Sequence, residues 1–262
     1  MGHVEARPGI AAALILTWGC VSPGLAPPPQ ETRGLERVVV IAMEAPPLKV
    51  PLEFRATVSG SVAGLASPLL VYNTIAVLVE MPAASRRAAE ASASLQAALD
   101  AGRAWVPTFV AAGQASAQLA ARGLEVTVDP GVRPVPGVAR RGGTLSMENW
   151  LAPIRAWYND TRPVPRPEAA TPGRRTLVLE VGILNYEIMG DELLLQVMVK
   201  LIDPASGAVI GRARAAVAPK AMPHVGPLDA AFAGSADVFK RIVVTQSRML
   251  VHACLVQLGL LD

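Results

Sequence analysis

Aliphatic residues alternate through Leu193, Leu195, Val197, Val199 and Leu201, while Gln196 and Lys200 fall on the opposite parity. A period of two describes a strand that buries one side. It predicts five aliphatics against a core and an opposite face that is partly wet. Turns frame this segment. Met189-Gly190-Asp191 precedes it, and Asp203-Pro204-Ala205-Ser206-Gly207 follows it, with proline second and glycine where φ turns positive. Strands over 176–188, 192–202 and 208–217 therefore predict an antiparallel meander. Upstream, the β-branched run from Arg37 to Glu44, bounded by Pro46 and Pro47, reads as a buried strand. Leu124 to Val128 alternates as a short strand that stops at Asp129-Pro130-Gly131.

Between these strands the period lengthens to that of a helix. Good helix formers run from Ala83 to Leu99, with Gly102 beyond them, and a second helix is expected from Pro107 to Arg122, closed by Gly123. Over 146–158, Met147, Trp150, Leu151, Ile154 and Trp157 share one face. The tryptophans on that face read as core. A closing helix over 229–258 carries Phe239, Ile242, Val243, Leu250 and Cys254 along one stripe. The order predicts an α/β (α+β) fold: a mixed sheet, a C-terminal antiparallel three-strand meander, and helices packed on it. One domain over 37–262 is expected, with a basic, proline-rich insert at about 129–175. That insert repeats Arg-Pro-Val-Pro at 133–136 and 162–165. Its arginines Arg133, Arg140, Arg141, Arg155, Arg162, Arg166, Arg174 and Arg175 read as solvated loops, or as a docking surface for phosphate-bearing lipid or an acidic partner.

The stretch from Ala56 to Val79 carries no charge, yet Gly60, Gly64, Pro68 and Asn73 make it a poor spanning helix. It reads as a glycine-rich loop followed by a buried strand, Leu69 to Val79. The sharper alternative is a membrane-inserting segment of an oligomeric pore.

The first twenty residues change the picture most. Arg7 precedes an apolar run from Gly9 to Leu16, and Gly19 immediately precedes Cys20. A basic start, a short apolar stretch and a small residue before the cut describe an export signal over 1–19. Gly19-Cys20 resembles the last two positions of the lipobox of bacterial lipoproteins, with Leu16 one place early and Thr17 and Trp18 between. That resemblance implies lipid attachment at Cys20. Val21, where many inner-membrane lipoproteins carry aspartate, implies the outer membrane, facing the periplasm. From Cys20 to Glu36 the chain holds Pro23, Pro27, Pro28 and Pro29, a composition that extends as polyproline II and predicts a tether.

Composition narrows the chemistry. The net charge is +3, too weak to argue for nucleic acid. Cys20 and Cys254 are the only cysteines, so an acylated Cys20 leaves Cys254 without an intramolecular partner. The four lysines make no phosphate-binding Gly-Lys pair, and no Cys-x-x-Cys, Gly-x-Gly-x-x-Gly or Gly-x-Ser-x-Gly occurs. His252 and Cys254 lie two apart on a helix and point to different sides. His224 reads as a loop histidine, and the carboxylates Asp191 and Glu192 belong to a hairpin turn. No catalytic residue, metal ligand or cofactor is therefore expected.

The run Leu201 to Ile210 and the run Leu119 to Val126, set in this element order, are similar to a group of bacterial periplasmic lipoproteins. The group comprises the curli-secretion lipoprotein, the lipoprotein activators of penicillin-binding proteins and their relatives, whose core is like the N-terminal domain of the Tol-system propeller protein. The resemblance implies a non-enzymatic, membrane-anchored factor that binds an envelope protein partner in assembly or secretion, with self-association allowed. The alternatives are a secretion-pore subunit inserting through 56–79, and a secreted hydrolase built from scattered carboxylates.

Overall fold

The computed structural model describes residues 24–49, 95–100, 105–139, 147–166, 169–170, 173–189, 192–217, 225 and 236–262. Its helices are α1 (Pro29–Thr32), α2 (Pro107–Ala121), α3 (Met147–Asn159) and α4 (Asp237–Gln257). Its strands are β1 (Arg37–Met43), β2 (Glu125–Arg133), β3 (Thr176–Met189), β4 (Glu192–Ile202) and β5 (Val209–Ala216). They form one mixed sheet in the order β2-β1-β3-β4-β5. β1 runs parallel to β2 and β3, and β3, β4 and β5 are antiparallel. The meander and the α/β class are as the alternation predicts. Parallel neighbours need a crossover, and α2 and α3 lie in the connections to β2 and β3. The expected signal and Cys20, the charge-free stretch 56–79, the helix over 83–94, His224 and Asp191 lie outside the described residues.

Two apolar layers cover the two faces of the sheet. On one, α2 and α4 pack against Val38, Val40, Leu177, Leu179 and the odd-numbered aliphatics Leu193 to Leu201. Phe239, Val243, Leu250 and Cys254 of the predicted stripe are buried there. On the other, Trp150, Ile154, Trp157 and Tyr158 of α3 bury Ile41, Val178, Leu184, Met198 and Ile202. The expectation of a partly wet second face is thereby corrected: Lys200 is 6% exposed, and Gln196, on the same face of β4, is buried too. The apolar face of α3 needs a surface to cover, and this side of the sheet supplies it.

Two irregularities carry the fit. Pairing of β3 with β4 slips between Ile183 and Asn185: Leu184 stays on the α3 side with Val178 and Gly182, while Tyr186 and Ile188 beyond the slip turn to the α2 and α4 side. The Trp150 indole N–H donates to the carbonyls of Ile183 and Leu184 at 3.1 and 3.2 Å, satisfying acceptors where the ladder breaks. Next to it, a Cβ on Gly182 would stand 2.8 Å from Trp157, so only glycine admits this ring. The second irregularity is in β2. The expected stop at Asp129-Pro130-Gly131 is instead a bulge inside the strand, because Val40 pairs with Val128 and Ala42 with Val132. Asp129 Oδ1 accepts from the Gly131 amide at 2.8 Å, and Pro130 is tolerated on an outer strand that needs no donor there.

The proline-rich segment also departs from expectation. From Gly24 onward it packs on the body, where a free tether was expected. Leu25 exchanges two backbone hydrogen bonds of 2.7 Å with Arg212 of β5. Pro27 is buried, and Gly211 lets Pro27 and Leu258 approach, since a Cβ there would meet them at 3.1 and 2.8 Å. Further along, Arg175 Nη2 reaches Glu31 of α1 at 2.6 Å.

Candidate functional site

Two places gather polar chemistry. The first lies under the C-terminal end of α3. Glu180, Lys200 and Arg212 stand side by side on β3, β4 and β5 in direct cross-strand register. Lys200 Nζ donates to the carbonyls of Trp157 and Asp160 at 3.1 and 2.9 Å. Arg212 Nη1 donates to those of Tyr158 and Asn159 at 3.2 and 3.3 Å. Two cations thus take up orphan carbonyls at the negative end of the helix. Each also lies over a ring, Lys200 on Trp157 at 5.4 Å and Arg212 on Tyr158 at 5.5 Å. Glu180, 1% exposed, accepts from Arg166 Nη2 at 2.8 Å and from the Trp157 indole N–H at 3.1 Å. Both carboxylate oxygens and the ammonium are therefore engaged. The cluster clamps α3 to the sheet and offers no free base or nucleophile.

Lys200 holds its proton less tightly than an ordinary lysine, first because burial disfavours the charge. Glu180 and Asp160 raise its pKa, while Arg212 and Arg166 lower it further. Since the folded value lies below the ordinary 10.5, the unfolded chain binds more protons over the interval between them. Stability therefore gains a contribution as pH rises through that interval. Urea unfolding of Lys200→Met alongside the parent chain checks this. The contribution should be missing from the variant, and comparing the two cancels titrations that both proteins share.

The second place is an open groove of about 530 Å³ between α2 and α4, lined by Gln118, Ala121, Arg248, Met249, His252 and Leu261. His252 Nδ1 pairs with Gln118 Oε1 at 3.1 Å, and Gln118 Nε2 donates to the Arg248 carbonyl at 3.1 Å. Met249, which lines the groove, is 51% exposed, and elsewhere along α4 Val238, Val244 and Val256 also face solvent. These residues lie off the stripe that the sequence marks as core. Their signal was an apolar residue on the polar side of an otherwise amphipathic helix.

Cys254 sits at the opposite side of α4, fully buried, its Sγ 4.0 Å from the Val197 carbonyl. Burial pushes its thiol up to about 12, so it is a small core residue and no nucleophile at neutral pH. The described arginines of the basic insert are mostly paired. Arg133 meets Asp129, Arg162 meets Asp160, Arg166 meets Glu180, Arg174 meets Glu125 and Arg175 meets Glu31. The Arg162 side chain, followed by its backbone amide, holds the Asp160 carboxyl well below the usual range. Among the described residues these pairings leave most of the insert's positive charge balanced. Among the described residues no His, Cys, Asp and Glu group of metal-binding size occurs, and no helix is long and apolar enough to cross a membrane.

Fold and site together define a sheet covered by helices on both faces, with a saturated charge cluster inside and an apolar groove outside. No protein-family model matches the chain, and no curated protein matches it. Among solved structures it is similar to a PelC dodecamer from Paraburkholderia phytofirmans carrying one leucine-to-methionine substitution. That likeness has 16% identity, covers 90% of this chain and 95% of that one, and has a TM-score of 0.32. A second PelC dodecamer from the same organism shows 13% identity, 87% and 95% coverage and a TM-score of 0.31. Likeness at this level carries no argument about function.

Proposed function

We propose that this chain is a lipid-anchored envelope protein, acylated at Cys20, held at the outer membrane and facing the periplasm. It works by binding a protein partner in assembly or secretion and catalyses no reaction, in the manner of the lipoprotein group that its sequence resembles. The observation that supports binding is the set of exposed apolar residues on α4, of which Met249 lines the α2–α4 groove. A helix that already buries one full side gains nothing in the monomer from Val238, Val244, Met249 and Val256 on the other. A groove lined by Ala121, Met249 and Leu261 between the polar side chains of Gln118, Arg248 and His252 suits a partner helix or loop.

Two measurements in intact cells test this reading. A clickable fatty acid should label the protein, and Cys20→Ser should abolish the label and release the chain from the membrane fraction. A photo-crosslinking residue at Met249 should give a discrete larger adduct, while one at the exposed Glu36 gives none. Labelling that survives in Cys20→Ser would end the anchor reading. Absence of any adduct at Met249 would end the docking reading.

A further inference from the structure

We infer that the corner of the fold formed by the outer side of β5 around Arg212 and the last turn of α4 is the part that lies against the lipid bilayer. This rests on the reading that Cys20 is acylated, and it adds which surface that anchor holds to the membrane. The pinned segment carries the argument. Gly24 lies on β5: a Cβ there would stand 3.1 Å from the Arg212 carbonyl oxygen and 3.6 Å from Gln257 Oε1. Leu25 is fixed by its paired backbone hydrogen bonds to Arg212, and Pro27 is buried over Gly211 beside Leu258. Gln257 itself donates to the Arg214 carbonyl at 3.2 Å, joining the end of α4 to the same strand.

Only four peptide steps separate Cys20 from Gly24. A chain spans at most about 3.6 Å per residue, so the anchored cysteine lies within ~14 Å of this corner however those steps are arranged. An acyl chain in the bilayer puts its cysteine at the headgroup level, and the corner must follow. The far ends of the sheet are not so bound. Lys200 is paired with Arg212, and eight residues of β4 at ~3.3 Å each carry Glu192 ~26 Å further along the strand. Glu125, on β2, lies four strands across the sheet from β5, ~19 Å at ~4.8 Å per strand. A free tether of the whole proline-rich stretch would have imposed no orientation; docking from Gly24 leaves too little slack for the body to turn over.

The test uses full-length, membrane-extracted protein in phosphatidylethanolamine and phosphatidylglycerol vesicles carrying a short-range headgroup quencher. A fluorophore is placed on a cysteine introduced singly at Gln257, Glu192 or Glu125; buried Cys254 does not compete for the label. Quenching at position 257 should exceed that at 192 and 125 severalfold. Inserting twenty Gly/Ser residues between Ser22 and Pro23 should erase the difference. Equal or reversed quenching in protein whose Cys20 peptide carries acyl chains by mass would overturn the inference and leave the anchor standing. A difference that survives the insertion would also overturn it, because another surface would then be setting the orientation. A bare Cys20 peptide would take down the anchor and this inference together.

Discussion

Glu180→Ala is expected to lower stability by about 3–5 kcal/mol, the cost of removing one partner from a buried ionic group. The carboxylate is central to its cluster. Its loss strips Arg166 Nη2 and the Trp157 indole N–H of their acceptor, and leaves Lys200 without the anion beside it on the neighbouring strand. Lys200 then stays buried with its charge opposed only by Asp160 and the α3 carbonyls. For a chain of this size such a loss lowers Tm by roughly 10 °C. Thermal unfolding followed by circular dichroism measures it. Glu180→Gln should fall between, because the amide oxygen can still accept from Arg166 or the indole while the charge is gone. A double-mutant cycle with Lys200→Met should return a coupling of about 1 kcal/mol or more between the two positions. A Glu180→Ala protein as stable as its parent would show that the carboxylate contributes nothing net to holding α3 on the sheet.

Gly207→Ala should cost about 3 kcal/mol, through two separate effects. Its φ of +72° lies in the left-handed region, where a Cβ costs roughly 1–2 kcal/mol. The added carbon would also fall 2.5 Å from the Val164 amide nitrogen, onto backbone that no rotamer change can clear. Val164 N–H donates to the Gly207 carbonyl at 3.1 Å and Arg166 N–H to that of Pro204 at 2.9 Å. The variant should therefore loosen the segment after α3 as well as the turn, and with it the approach of Arg166 to Glu180. Hydrogen exchange at the Val164 and Arg166 amides reads this directly. Gly123→Ala is the control: its φ is +89°, but nothing lies within 4 Å of the added carbon. It should lose only the conformational part. Equal losses in the two variants would refute the collision.

The meander was legible because alternation from Leu193 to Leu201 and the Asp-Pro-x-Ser-Gly turn are local signals. Asp203 Oδ2 does accept from the Ser206 amide, at 3.1 Å, as such a turn requires. Where sequence reasoning failed, distant chain decided. Lys200 looked like a solvent-side residue; only α3, some forty residues earlier, makes it a buried cap on four carbonyls shared with Arg212. Asp129-Pro130-Gly131 looked like a chain reversal, but parallel pairing to β1 resumes at Val132. The prolines after Cys20 looked like spacer because composition does not report a strand edge waiting at Arg212. The exposed apolar residues of α4 passed unremarked because a helix is read by the stripe it buries, and Met249 and Val256 lie outside that stripe.

The two margins of the sheet have a consequence for how copies could meet. Residues 24–27 occupy the outer side of β5, and Pro130 with its bulge interrupts β2 at the other margin. Among the described residues, then, neither rim offers a long, regular row of free amides onto which a second molecule could zip. Growth by strand addition is therefore disfavoured at both of these margins.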